Sequence, residues 1–115
     1  MEGPCIDLAY LERFCKGDRA RMEKYIRMYL DGAPGLFAKL EDRLKAGDGE
    51  GLAVAAHSVR PQVNYMGAQR LFDLLTRIEE QARTAGPAAC AVDVNGALSL
   101  NAIVMAELRT ELSRP

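Results

Sequence analysis

The sequence has 115 residues, a length that fits one domain built around one hydrophobic core. Hydrophobic residues make up 49% and charged residues 27%, which is ordinary for a globular protein and too apolar for a disordered one. The formal net charge is −1. Nucleic acid is therefore not expected as a partner, because phosphate binding requires a basic surface. We expect a single domain over residues 1–115.

The cysteines and the histidine exclude two further classes. Cys5, Cys15 and Cys90 are odd in number and lack paired spacing, which is not the pattern of a disulfide framework. A structural zinc site would need about four Cys/His ligands in paired spacings, and this chain, with His57 as its only histidine, offers no such spacing. We expect no metal and no cofactor.

Membrane and secretion signals are also not evident in the sequence. No apolar stretch is expected to reach the roughly 18 residues that span a bilayer, and the N-terminus shows no signal-peptide pattern. These observations predict a cytoplasmic protein that does not insert into a membrane.

Helical periodicity runs through almost the whole chain, and no segment alternates long enough to predict a strand. A short first helix is predicted over residues 6–14. The next apolar pattern stays in phase across Pro34, which leaves two interpretations: one kinked helix over 18–46, or two helices joined at 31–35. The unbroken phase favours the kinked helix.

Three more helices are predicted over 48–66, 68–83 and 92–112. Gly47, Gly67 and the Gly86-Pro87 pair mark the turns that separate them. Short turns between long amphipathic helices place neighbours antiparallel. The predicted fold is therefore all-α: an antiparallel up-down four-helix bundle with an additional short N-terminal helix. Four methionines, at positions 22, 28, 66 and 105, are expected to fill the core.

The third predicted helix carries His57 on its polar face. At about 100° per residue, the apolar stripe from Leu52 to Met66 is centred about 150° away from it. His57 therefore points into solvent. An exposed histidine often has no function, so the case for a functional His57 depends on the residues around it. The side chains one turn before and after it are small or short, which leaves the ring accessible to a partner: Ala53, Val54, Pro61 and Asn64.

The segment AHSVRPQVNYMG, residues 56–67, resembles the core motif of the histidine-containing phosphotransfer (HPt) domains of bacterial phosphorelays. That motif has Ala-His, then an apolar residue two places on, a basic residue at three, Gly at four and a second Gly at ten. Position four departs from it, because Pro61 replaces the glycine. The resemblance extends over nearly the whole chain, since the preceding and following helices also fit. The matching residues are Ala56, His57, Val59, Arg60 and Gly67.

The resemblance implies a phosphocarrier with His57 as the phosphoacceptor. A neutral imidazole has a nitrogen lone pair that can attack an activated phosphoryl group. Arg60 lies one turn on, where its guanidinium can neutralise the phosphoryl oxygens. The chain has no nucleotide-binding loop, so we expect a carrier and not an enzyme.

The resemblance also implies the partners, which are receiver domains, a hybrid sensor histidine kinase, or both. In such relays the receiver supplies the phospho-aspartate, the magnesium ion and a lysine. Docking is expected on the exposed faces of the second and third helices around His57, with Ala53, Pro61 and Asn64 as a surface of small residues. We expect a monomer, because a nucleophile presented to visiting partners must stay uncovered.

Pro61 leaves two interpretations open. Proline has no N–H, so the His57 carbonyl loses its i+4 donor, and a local kink or an ordered water is expected there. Pro61 is either a tolerated variant that tunes the choice of receiver or the mark of a degenerate domain.

Two other functions remain. The chain could be a helical protein–protein interaction module that is inactive in phosphotransfer. A small enzyme with His57 as general base is disfavoured, because no acidic residue is clearly placed to orient the ring.

Overall fold

The structure is a computed structural model that describes residues 4–114. Within that range the chain forms five α-helices, one short 3-10 helix and no strand, which confirms the all-α class. The bounds of the long helices lie within one residue of those predicted. The elements are α1 (Ala9–Phe14), α2 (Arg19–Lys45), α3 (Gly49–Tyr65), α4 (Gln69–Thr84), the 3-10 helix (Pro87–Cys90) and α5 (Ala91–Leu112).

α2 is one continuous helix, so the alternative of two helices joined at 31–35 is wrong. It begins at Asp18, whose carboxylate accepts a hydrogen bond from the Arg21 amide at 3.2 Å. Pro34 lies inside the helix and is exposed. The apolar face that runs in phase on both sides of Pro34 is buried, and this packing maintains the helix across the missing donor.

Four long helices surround the core. α2 packs against α3 and α5, and α4 packs against the same two helices, while α1 packs against α2. α3 therefore lies between α2 and α4 and must bury a wide face. The largest fully buried side chains come from all five α-helices and include Leu11, Ile26, Leu40, Leu52, Leu71, Leu75, Ile78 and Leu108.

Three of the four methionines expected in the core are there. Met22, Met66 and Met105 are buried, but Met28 is 58% exposed, so that prediction is wrong. Met28 directly precedes the buried Tyr29 on α2. One residue step turns a side chain by about 100° around a helix, which places Met28 outside the buried face.

α5 corrects the expectation that no apolar stretch is long enough to span a bilayer. The helical segment Pro87–Leu112 meets that criterion by length and composition. Core helices can also meet it: in α5, Val94, Ala97, Val104 and Leu108 are fully buried, α5 packs against α2 and α4, and 33% of the apolar window is buried.

The segment before α1 crosses the end of α3, and α1 begins three residues later than predicted. The Glu107 carboxylate on α5 accepts hydrogen bonds from the backbone amides of Cys5, at 2.8 Å, and Ile6, at 3.0 Å. The next amide, that of Asp7, donates to the Met66 carbonyl at 3.4 Å. These contacts hold the segment before α1 against α5 and the end of α3.

Gly67 is more than the helix stop that the sequence indicated. Its φ is +66°, a left-handed conformation that favours glycine. A Cβ at this position would overlap the backbone of Asp7. Gly67 therefore allows the N-terminal segment to pass directly over the turn between α3 and α4.

Gly67→Ala should be more destabilising than Gly47→Ala, although both glycines have the same φ of +66°. Nothing lies within 4 Å of a Cβ at Gly47, so that variant meets only the left-handed strain of about 1–2 kcal/mol. Gly67→Ala should lose about 1–3 kcal/mol more through overlap with Asp7. Urea unfolding of both variants measures the difference, and equal losses would show that the crossing segment does not constrain position 67.

Candidate functional site

His57 lies in the middle of α3 and faces solvent, as predicted, with 61% of its side chain exposed. The helix begins at Asp48, whose carboxylate accepts a hydrogen bond from the Gly51 amide at 2.8 Å. Ala56 and Val59, on either side of the histidine in sequence, are fully buried. These contacts fix the rotation of α3 about its axis and direct the imidazole outward.

A carboxylate from α4 contacts the imidazole. His57 Nδ1 lies 3.2 Å from Oε1 and 3.2 Å from Oε2 of Glu79. The Glu79 side chain is only 16% exposed, and it follows the fully buried Ile78. The expectation that no acidic residue is placed to orient the ring is therefore wrong.

Sequence reasoning missed Glu79, although a signal for it exists. His57 and Glu79 are 22 residues apart, and the turn at Gly67 lies near the middle of that interval. Residues equally distant from a tight turn come level with each other across a helical hairpin. Searching for acidic residues level with His57 on the following helix would have identified Glu79.

The surroundings of Glu79 keep its carboxylate ionised. Burial raises the pKa of Glu79, but the hydrogen bond from His57, the charge of Arg60 and the hydrogen bond from Arg83 together lower that pKa below its ordinary 4.5. At neutral pH the imidazole therefore faces a negative charge.

Arg60 lies beside His57 and is held by α4. Its Nη2 is 3.3 Å from His57 Nδ1, and its Nη1 is 3.4 Å from Glu79 Oε1 and 3.2 Å from the Thr76 hydroxyl. The guanidinium carbon lies 5.4 Å from the centre of the Phe72 ring. Its Nε is buried without a hydrogen-bond partner among the described residues. A strong cation thus lies next to the imidazole.

The two neighbours of His57 Nδ1 require opposite protonation states of that nitrogen. A carboxylate accepts a hydrogen bond and needs a proton on Nδ1, whereas a guanidinium donates one and needs a lone pair there. The carboxylate presents both oxygens at 3.2 Å, and the Arg60 nitrogen is slightly farther away, at 3.3 Å. Arg60 also has other acceptors in Glu79 and Thr76. We therefore assign the proton to Nδ1, which leaves the lone pair on Nε2. No hydrogen bond from within residues 4–114 engages Nε2.

The residues expected to form the docking surface divide into two groups. Pro61 and Asn64 are exposed on α3, and the helix continues past Pro61 to Tyr65. Ala53 is fully buried, so its expected place on that surface is wrong. Because α3 packs against both α2 and α4, its buried face is wider than a single stripe and includes position 53. The neighbouring Val54 is 50% exposed.

The rest of the described chain offers no second chemical centre beside His57. Within residues 4–114 no group of three or more His, Cys, Asp or Glu side chains is placed to hold a metal ion. In the same range the hydrogen-bond partners of the ring are Glu79 and Arg60, and no hydroxyl or thiol is bonded to it. The site therefore presents an exposed imidazole whose contacts, among the described residues, are a carboxylate and a guanidinium.

Glu79→Gln should destabilise the fold in a pH-dependent way. Because the folded-state pKa of Glu79 is lowered, its ionised form stabilises the fold above about pH 4.5, and this contribution is lost as the pH falls through the folded-state pKa. The difference in unfolding free energy between the wild type and Glu79→Gln should thus be present at pH 7 and shrink below pH 4.5. Urea titrations across this range measure it, with Glu80→Gln, at an exposed neighbouring position, as control. A difference that does not vary with pH contradicts the assignment.

Comparison with known protein families places this site in context. Residues 24–114 match the family model described as Hpt domain, and this range includes all of α3, α4 and α5. No match is found among curated proteins or solved structures. Hpt domains are phosphocarrier modules without kinase activity, which interact with the receiver and kinase partners of phosphorelays. The chain belongs to the Hpt domain family.

Proposed function

We propose that this chain accepts a phosphoryl group on His57 from the aspartyl phosphate of a receiver domain and passes it to another receiver. One observation carries the proposal, in a chain of the Hpt family. The imidazole of His57 is 61% exposed, and its Nδ1 contacts the largely buried carboxylate of Glu79 and the guanidinium of Arg60. Exposure lets a partner reach the ring, and the two contacts fix the ring for attack.

The transfer step follows from the tautomer. The lone pair of Nε2 attacks the phosphorus of the aspartyl phosphate, the P–O bond to the aspartate breaks, and the aspartate leaves as a carboxylate. The ring keeps its proton on Nδ1 and becomes positively charged. Glu79, 3.2 Å from Nδ1, offsets this charge. The reverse sequence passes the phosphoryl group to the next receiver and restores the neutral ring.

Arg60 neutralises the phosphoryl oxygens in this proposal. Its Nη2 is already 3.3 Å from the ring, and its side chain is 25% exposed. Turning toward Nε2 gives up the hydrogen bond to Thr76 and moves the guanidinium away from the Phe72 ring. A guanidinium can bind two phosphoryl oxygens at once, which makes arginine well suited to this role.

Docking takes place on the faces of α2 and α3 around His57, where the short side chains of Pro61 and Asn64 project little from the surface. The low profile of these side chains lets the receiver bring its aspartate close to the ring. The partner supplies the phospho-aspartate and its magnesium ion, so the chain needs no cofactor of its own. A receiver domain, a hybrid sensor histidine kinase or both fit this requirement.

The remaining features of the proposal concern the chain as a whole. Residues 1–115 form one domain, a monomeric up-down antiparallel bundle with α1 as the extra N-terminal helix. The protein acts in the cytoplasm, does not insert into a membrane and does not bind nucleic acid. The short turns between the long helices and the balanced charge support this description.

A second function has one observation in its favour. Pro61 stands where the family motif has glycine, and it removes the amide that would donate to the His57 carbonyl. A bundle altered at this position could bind receivers without accepting a phosphoryl group. The same experiment separates the two functions.

Incubation with phosphorylated receiver domains should label the wild type and leave His57→Gln unlabelled. The label should survive base and be lost in acid, as expected for an N–P bond. Arg60→Gln should slow the transfer by about tenfold to a hundredfold, because the phosphoryl charge loses its nearest cation, and Arg60→Lys should recover part of the rate. Rapid-quench sampling measures these rates.

Circular dichroism controls for the fold of each variant. A folded wild type that takes no label from any of several receivers contradicts the phosphocarrier role and favours the binding module. Label on His57→Gln would place the phosphoryl group on another residue and contradict the assignment of His57.

A further inference from the structure

The Glu79 carboxylate lies between two guanidinium groups. Arg60 of α3 approaches one oxygen, Oε1, at 3.4 Å. Arg83, one turn further along α4, donates from Nη1 to the other oxygen, Oε2, at 3.0 Å. His57 Nδ1 lies 3.2 Å from each oxygen. Each carboxylate oxygen of Glu79 therefore contacts a different arginine, and His57 Nδ1 is equally distant from the two oxygens.

Arg83 is itself held from a second side. Its Nη2 lies 3.2 Å from Oε1 of Glu50, and its Nε lies 3.3 Å from Oε2 of the same residue. Glu50 belongs to the first turn of α3, whereas Arg83 belongs to the last turn of α4. This pair of hydrogen bonds is the bidentate geometry that orients a guanidinium well. Arg83 thus links the start of α3 to the carboxylate that contacts His57.

Arg60 and Arg83 have different roles in the proposed transfer. Arg60 is the cation beside the ring, so in the proposed transfer it turns toward the phosphoryl oxygens and gives up its contact with Glu79. The glutamate side chain has three rotatable bonds and needs another contact to keep its orientation. Arg83 provides that contact, because its hydrogen bond to Glu79 and its hydrogen bonds to Glu50 do not involve the imidazole ring.

We propose that Arg83 is a positioning residue of the phosphotransfer site, which holds Glu79 against His57 Nδ1 while Arg60 serves the phosphoryl group. The inference rests on the proposed function for its kinetic consequence. Its structural consequence, the tautomer of the ring, is independent of any transfer. Arg83 is 44% exposed, and exposed ion pairs contribute little to stability, so the effect lies in ring orientation and not in folding.

The test compares Arg83→Gln, Arg83→Lys and the control Arg77→Gln. Arg77 also lies on α4 and forms a bidentate ion pair, but with Asp93, at 2.8 and 2.9 Å. The tautomer of His57 is read from the ¹⁵N shifts of the ring nitrogens, and the transfer rate from a phosphorylated receiver is measured in parallel.

In Arg83→Gln the share of the Nδ1–H tautomer should fall, and the transfer rate should drop about tenfold. Arg83→Lys should restore part of both, since an ammonium can bind Glu79 but cannot also bind Glu50 in a bidentate manner. Arg77→Gln should leave both at the wild-type values.

Wild-type tautomer populations in Arg83→Gln would overturn the positioning role, and so would equal effects of the Arg77 and Arg83 variants. If the wild type accepts no phosphoryl group but Arg83→Gln still shifts the tautomer, the proposed function fails and the positioning of the ring by Arg83 is supported. The two failures are therefore distinguishable.

Discussion

The contact between the Glu79 carboxylate and His57 Nδ1, at 3.2 Å, is the interaction on which the proposed chemistry of this site depends. In the proposed mechanism it holds the ring proton on Nδ1 and leaves Nε2 as the nucleophile. It also places a negative charge where the ring would become positive in the proposed transfer. Arg60 and Arg83 keep that carboxylate ionised and oriented, so a surface imidazole acquires a defined tautomer without being buried.

This contact is possible only because α3 and α4 are held in a fixed register. Gly67 forms the turn between them in a left-handed conformation, and the N-terminal segment crosses it closely enough to exclude a side chain. Glu107 of α5 binds the backbone of that segment at Cys5 and Ile6. The frame of the site thus includes residues that lie far from His57 in sequence. Within the core, the hydroxyl of Tyr29 donates to Asn101 at 2.6 Å and joins α2 to α5.

Much of the fold could be predicted from the sequence, because helix periodicity and turn residues are local signals. They predicted all long helices and the exposure of His57. What they could not predict depends on how helices pack. Ala53 is buried because α3 packs against two neighbours, and Glu79 reaches His57 across a hairpin whose register no single helix encodes. The expectation that no stretch is long and apolar enough to span a bilayer was wrong for Pro87–Leu112, and core helices pass the same test of length and composition.

The position of the phosphoryl group on the ring tests the proposed role of Glu79 and His57 most directly. Correlated ³¹P and ¹⁵N spectra of the phosphorylated protein, with ¹⁵N-labelled histidine, distinguish the two ring nitrogens. We expect phosphorus bonded to Nε2 and a proton retained on Nδ1 beside Glu79. Phosphorus bonded to Nδ1 would contradict this expectation, because the carboxylate contact and the attacking lone pair would then occupy the same nitrogen.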